Sequence, residues 1–180
     1  PLTLVPARED DLTAPASIYA ATKLAQEDLV AIACNALGDV IDPDTAQPVA
    51  GARTPDGLRL ADTRRALLRG EGARPVLAGS NTTIGVIATD ATLTKAQARR
   101  LAVAAHDGLA RSINPVHTMS DGDTLFTLGT GAAGRTLGMM TLSAMAAEVT
   151  ARATLRAVRA ARSLTTDSGL WLPCAAELAP

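Results

Sequence analysis

Short apolar runs alternate with long stretches of helical periodicity, and no feature of the chain constrains its fold more. Residues 29–34 (LVAIAC), 83–89 (TIGVIAT) and 124–130 (TLFTLGT) are apolar, partly β-branched and bounded by turn residues. The first two have the pattern of strands buried on both faces, and the third reads as a strand ended by Gly131 and Gly134. Between the second and third runs, Ala98, Leu101, Ala102, Ala105 and Leu109 recur at helical spacing. Thr94 and Gln97 form a capping-box pair ahead of them and Asn114-Pro115 follows as a stop, predicting a helix over 94–112. Leu142, Met145, Ala146, Val149 and Ala153 predict a second helix over 137–163. Gly38 and the Asp42-Pro43-Asp44 turn bracket another short strand at 37–41. Strands interleaved with helices imply a layered α/β protein. With 180 residues and 47% apolar composition, the chain has material for the core of one domain.

Composition narrows the partners. The formal net charge is −1 and aromatic residues make up 2%, so there is neither a global field nor a stacking platform for nucleic acid. No apolar run reaches the length of about 18 residues that spans a bilayer, and no signal peptide opens the chain. The expectation is a cytoplasmic protein, its Cys34 and Cys174 free thiols, that acts on a small molecule without contact to membrane or nucleic acid. Glycine-rich nucleotide loops, paired CxxC motifs, HExxH and GxSxG are all absent, so neither cofactor nor metal is expected. His106 falls inside the first long helix and reads as a helical residue rather than a ligand; His117, between a proline turn and an Asp-Gly-Asp turn, reads as an ordering residue of that loop. Arg152, Arg156 and Arg159 share one helix face, with Glu148 four residues before Arg152, and read as a solvated or inter-subunit surface.

Residues 1–16, with three prolines and a charged cluster, read as linker-like, and 42–81 reads as a long connection with a helical patch around 62–69. Long loops in compact domains are commonly functional. This one ends in Ala78-Gly79-Ser80-Asn81-Thr82-Thr83 and runs straight into the 83–89 strand, which closes on Ala88-Thr89-Asp90. Together with Asn35-Ala36-Leu37-Gly38-Asp39-Val40, Ala50-Gly51-Ala52-Arg53, Pro115-Val116-His117-Thr118 and Asp121-Gly122-Asp123-Thr124, this stretch resembles the DmpA and nylon-oligomer hydrolase family. The resemblance covers roughly 29–161. It implies a four-layer αββα sandwich and a precursor that cuts itself between Asn81 and Thr82. Residues 1–81 would be the C-terminal part of an α portion whose upstream part is missing, and 82–180 the β portion, together one domain. It further implies hydrolysis of amide bonds in small peptides, amino amides or ω-amino acid oligomers, and self-association into tetramers or larger. The family's Lys or Tyr near the nucleophile has no counterpart in this sequence.

The chemistry has its own logic. A threonine hydroxyl is a weak nucleophile that needs an adjacent base, and an N-terminal threonine carries one in its α-amine. Only cleavage just before Thr82 creates that amine. Asn35, at a strand end, offers an amide donor of the oxyanion-hole kind, the role the resemblance gives it. Asp121 and Asp123, separated by a glycine that allows a tight turn, can face one pocket and hold the Thr82 ammonium or a substrate amine. Thr83 and His117 are expected just behind them. Two other readings fit the same residues: a Thr-dependent acyltransferase resembling ornithine acetyltransferases, and a non-catalytic fragment serving as an assembly module.

Overall fold

The computed structural model describes residues 29–71, 81–134, 137–165, 167, 169 and 171–177. The linker-like opening at 1–16 and the small residues Ala78 to Ser80 lie outside them. In chain order the elements are β1 (Leu29–Asn35), β2 (Asp39–Ile41), β3 (Pro48–Ala50), α1 (Thr63–Leu68), β4 (Thr82–Thr89), α2 (Lys95–Ser112), β5 (Ile113–Asn114), β6 (Thr124–Gly129), α3 (Met139–Ala160), β7 (Leu164–Thr165) and β8 (Trp171–Leu172), with a 3-10 turn at Ala175–Glu177.

β4 is the centre of the main sheet, antiparallel to β1 and parallel to β6. The parallel pair needs a crossover, and α2 supplies it. α2 begins as the sequence predicts: the Thr94 hydroxyl accepts from the Gln97 N–H and the Gln97 side chain accepts from the Thr94 N–H. Its Leu101, Ala105 and Leu109, fully buried, meet Leu142 and Ala146 of α3 and Ile32, Ile87 and Leu125 of the sheet. Each buried Leu or Ile contributes on the order of 1.5–3 kcal/mol.

The strand runs predict burial on both faces, and the described residues cover one. Burial alternates along β4, and Ile84, Val86, Phe126 and Leu128 stay open on the side away from the helices. The fold is α/β, and the described residues form one helix layer on one main sheet, two of the four layers that the resemblance implies. A second small sheet, β3-β2-β5, stands beside it, and β7 pairs with β8 in a hairpin. Neither β5 nor β7 and β8 stand out in the sequence, because two-residue strands carry no periodicity. No described helix is long and apolar enough to cross a membrane.

Within the expected 42–81 connection, residues 42–71 are more ordered than their composition implies. Asp39, buried at the start of β2, accepts from the Thr63 N–H and hydroxyl, both at 2.7 Å, and from the Ala52 N–H at 3.3 Å. One carboxylate thereby anchors α1 and the strand-like turn between Arg53 and Leu60. The arginine face of α3 is also occupied from within the chain. Arg152 grips Asp44 and Glu148, Arg159 reaches Asp42, and Arg111 of α2 meets Glu148. These pairs are largely exposed and each is worth little, but they join α3 to the β2–β3 turn.

The two helices touch most closely at Gly108. A Cβ there would lie 2.2 Å from the Ala147 carbonyl oxygen and 2.7 Å from the Thr150 Cβ. Backbone would have to move, so Gly108→Ala is expected to destabilise the chain by about 1–3 kcal/mol despite alanine's better helix propensity. Urea unfolding should show a lower midpoint at unchanged slope.

Candidate active site

Three backbone segments converge at one end of the main sheet. The β1–β4 register sets Asn35 directly opposite Thr82 and Cys34 opposite Thr83. On the other side of β4, Asn81 forms a parallel bridge with Asp121, and the Gly122 N–H donates to the Asn81 carbonyl at 3.0 Å. The Thr82 hydroxyl donates to that same oxygen at 2.5 Å. The carbonyl before Thr82 therefore sits between a backbone donor and the side chain next in sequence. Gly122 has to be small here, since a Cβ would lie 2.9 Å from the Thr82 Oγ1.

The two aspartates both line an open cleft of about 550 Å³ with His106, His117, Thr118 and Val103. Their tasks differ. Asp121 accepts from the Leu37 N–H at 3.1 Å and from the Thr118 N–H and hydroxyl at 3.1 and 2.6 Å, binding the β1–β2 turn to the 117–121 loop. Asp123 is 4% exposed in its side chain. Its Oδ1 accepts from the Thr83 N–H at 2.9 Å, and its Oδ2 lies 2.7 Å from the His117 Nδ1. Behind Thr83, whose hydroxyl is 4.0 Å from the Cys34 sulfur, burial pushes the Cys34 thiol up from its ordinary value.

The residues singled out in the sequence, Asn35, Asn81, Thr82, Thr83, His117, Asp121 and Asp123, thus stand at one place. Sequence reasoning passed over two participants. The Gly122 N–H carries no side-chain signal. His106, on α2, comes within 3.2 Å of His117 through an approach that no local spacing encodes.

The sequence profile described as Peptidase family S58 matches residues 17–171. The chain belongs to that family. Among its relatives, an uncharacterized aminopeptidase of Mycobacterium tuberculosis is 48% identical over 102 residues, covering 54% of this chain and 30% of that protein. A 6-aminohexanoate-oligomer endohydrolase of Paenarthrobacter ureafaciens is 38% identical over 60 residues, 33% of this chain and 17% of that one. The solved L-aminopeptidase D-Ala-esterase/amidase of Ochrobactrum anthropi superposes with a TM-score of 0.44 at 24% identity, over 52% of this chain and 30% of that one. The chain spans about a third or less of the length of these S58 relatives.

Asp121 offers a test of this construction that needs no activity. An amide in its place keeps one acceptor oxygen, and its NH2 group has to face either the Leu37 N–H or the Thr118 N–H, both of which donate. Asp121→Asn is expected to cost about 1–3 kcal/mol, read as a lower thermal midpoint.

Proposed function

We propose that the protein to which this chain belongs is a self-processing amidohydrolase or aminopeptidase with Thr82 as nucleophile. The observation that carries the reading is the Asn81 carbonyl oxygen held between the Thr82 hydroxyl and the Gly122 N–H. In this reading the Thr82 Oγ attacks the Asn81 carbonyl carbon, and negative charge gathers on the oxygen facing the Gly122 donor. The C–N bond to Thr82 breaks and its nitrogen leaves as an amine, which takes up the hydroxyl proton. The resulting Asn81 ester is opened by water, giving a new carboxylate at Asn81 and a free hydroxyl and α-amine on Thr82.

The same residue then works on substrate. Its amine takes the hydroxyl proton as Oγ attacks a substrate amide, the substrate's amine leaves protonated, and water releases the acyl group. Asn35, across the strand pair from Thr82, supplies an amide donor toward the transient oxyanion. Asp123 fixes the backbone one residue beyond the nucleophile, with His117 behind it, and Asp121 holds the β1–β2 turn that follows Asn35. Substrates in this reading are small peptides, amino amides or ω-amino acid oligomers, in line with the activities that the relatives' names carry. Self-association of the processed units belongs to the same reading.

Thr82→Ala is expected to leave the 180-residue chain intact and inactive, whereas the parent yields pieces of 81 and 99 residues by intact-mass analysis. Equal yields of the 99-residue piece from both would remove Thr82 from the mechanism. Asn35→Ala should slow turnover by about 10²-fold or more. A fall in thermal midpoint that accounts for the lost rate would instead make Asn35 a turn residue.

A further inference from the structure

The chain's two histidines, eleven positions apart, meet beside the candidate nucleophile. The His106 Nδ1 lies 3.2 Å from the His117 Nε2, with ring centroids 4.9 Å apart. The other nitrogen of His117 is 2.7 Å from Asp123, whose second oxygen holds the Thr83 N–H. A continuous string therefore runs from α2 to the backbone just past the Asn81–Thr82 bond. His117 adopts φ 53°, a left-handed conformation that costs a non-glycine residue about 1–3 kcal/mol. Its ring contacts are what the fold obtains in return.

Proton counting limits what this string can do. A neutral imidazole carries one N–H, and the Asp123 contact uses the one on the His117 Nδ1. With no extra proton, the His106 Nδ1–H donates to the His117 Nε2. With one, the His117 Nε2–H donates to the His106 Nδ1. A second extra proton sets two N–H groups against each other and breaks the contact.

We propose that His106 and His117 hold a single extra proton between them and act as positioning residues, setting how firmly Asp123 grips the Thr83 amide. The charged and titratable groups around them are Asp107 on α2, Asp121 and Asp123 in the loop, and the Cys34 thiol on β1. Burial, and then the charge on His117, hold His106 below the ordinary histidine value, against the opposing pull of Asp123 and Asp107. The 2.7 Å contact between the His117 Nδ1 and the Asp123 carboxylate assigns the shared proton to His117. Because the pKa of His106 is depressed in the folded chain, its contribution to stability is complete above the ordinary value near 6.5 and is lost as pH falls through the depressed one. Any consequence for rate rests on the hydrolase reading above; the pair itself does not.

The test uses the full chain carrying Thr82→Ala, so that neither cleavage nor turnover enters. The histidine ring signals and the Thr83 amide signal are followed by NMR against pH. The expected result is a Thr83 amide that titrates with the His117 midpoint, and a His106 that titrates below it. Adding His117→Asn, which tolerates positive φ and can still donate to Asp123, should abolish the Thr83 titration between pH 5 and 8 and raise the His106 midpoint. Adding His106→Leu should move the Thr83 midpoint to lower pH, because the lost hydrogen bond is stronger when His117 is charged. Two histidines that titrate independently near their ordinary value, or a Thr83 amide indifferent to both substitutions, would overturn the proposal. Either result would leave the role of Thr82 to the mass analysis.

Discussion

The candidate site depends on the register between β1 and β4. In that register Asn35 faces Thr82 across the pair, and both point to the side of the sheet away from the helices, while Cys34 and Thr83 point inward. A slip of one residue would exchange the faces, burying the hydroxyl and turning an apolar set outward. The register is held by burial on the helical side, where Ile32 and Ile87 join the core, and by the loop that receives Asn81 and Leu37. Packing remote from the chemistry thus sets the geometry at the Asn81–Thr82 bond.

Asp121 and Asp123 show how a short turn can be divided between two tasks. They stand two positions apart, yet one ties the β1–β2 turn and the other the start of β4. Gly122 between them lends its N–H to the Asn81 carbonyl and leaves room for the Thr82 hydroxyl. The motif as a whole behaves as a clasp around one peptide bond. A carboxylate already accepting several hydrogen bonds within the chain is firmly placed, which a site assembled from three separate segments requires.

Much of this was legible in the sequence. The helices over 95–112 and 139–160 follow from apolar spacing, and the start of α2 from its capping pair. Asn35, Asn81, Thr82, Thr83, His117, Asp121 and Asp123 were legible through the order of motifs that resembles the DmpA and nylon-oligomer hydrolase family; taken singly, each reads as an ordinary turn or strand-end residue. What stayed hidden depends on tertiary contact. The Asp39 carboxylate reaches Thr63 from 24 residues away, and His106 looks like any polar helix residue until His117 folds onto it. Arg152 and Arg159 read as surface charges because their partners Asp44 and Asp42 lie more than a hundred positions earlier. The open face of β4 differs from the expected double burial because an apolar run records what a strand can bury, not which residues bury it.

The salt bridges of α3 acquire another meaning when set against the position of the candidate scissile bond. Asp42 and Asp44 precede Asn81, whereas Arg152 and Arg159 follow it, and the β1–β4 ladder and the Leu37–Asp121 bond also bridge the two sides. A chain opened after Asn81 would therefore be a noncovalent heterodimer from the moment of its formation, with its first piece contributing β1 to the sheet that holds β4 and β6 of the second. Its stability would no longer be a property of one chain. Once separated, the pieces could regain the site only by meeting in solution, so recovery would vary with protein concentration, as it does for any obligate complex.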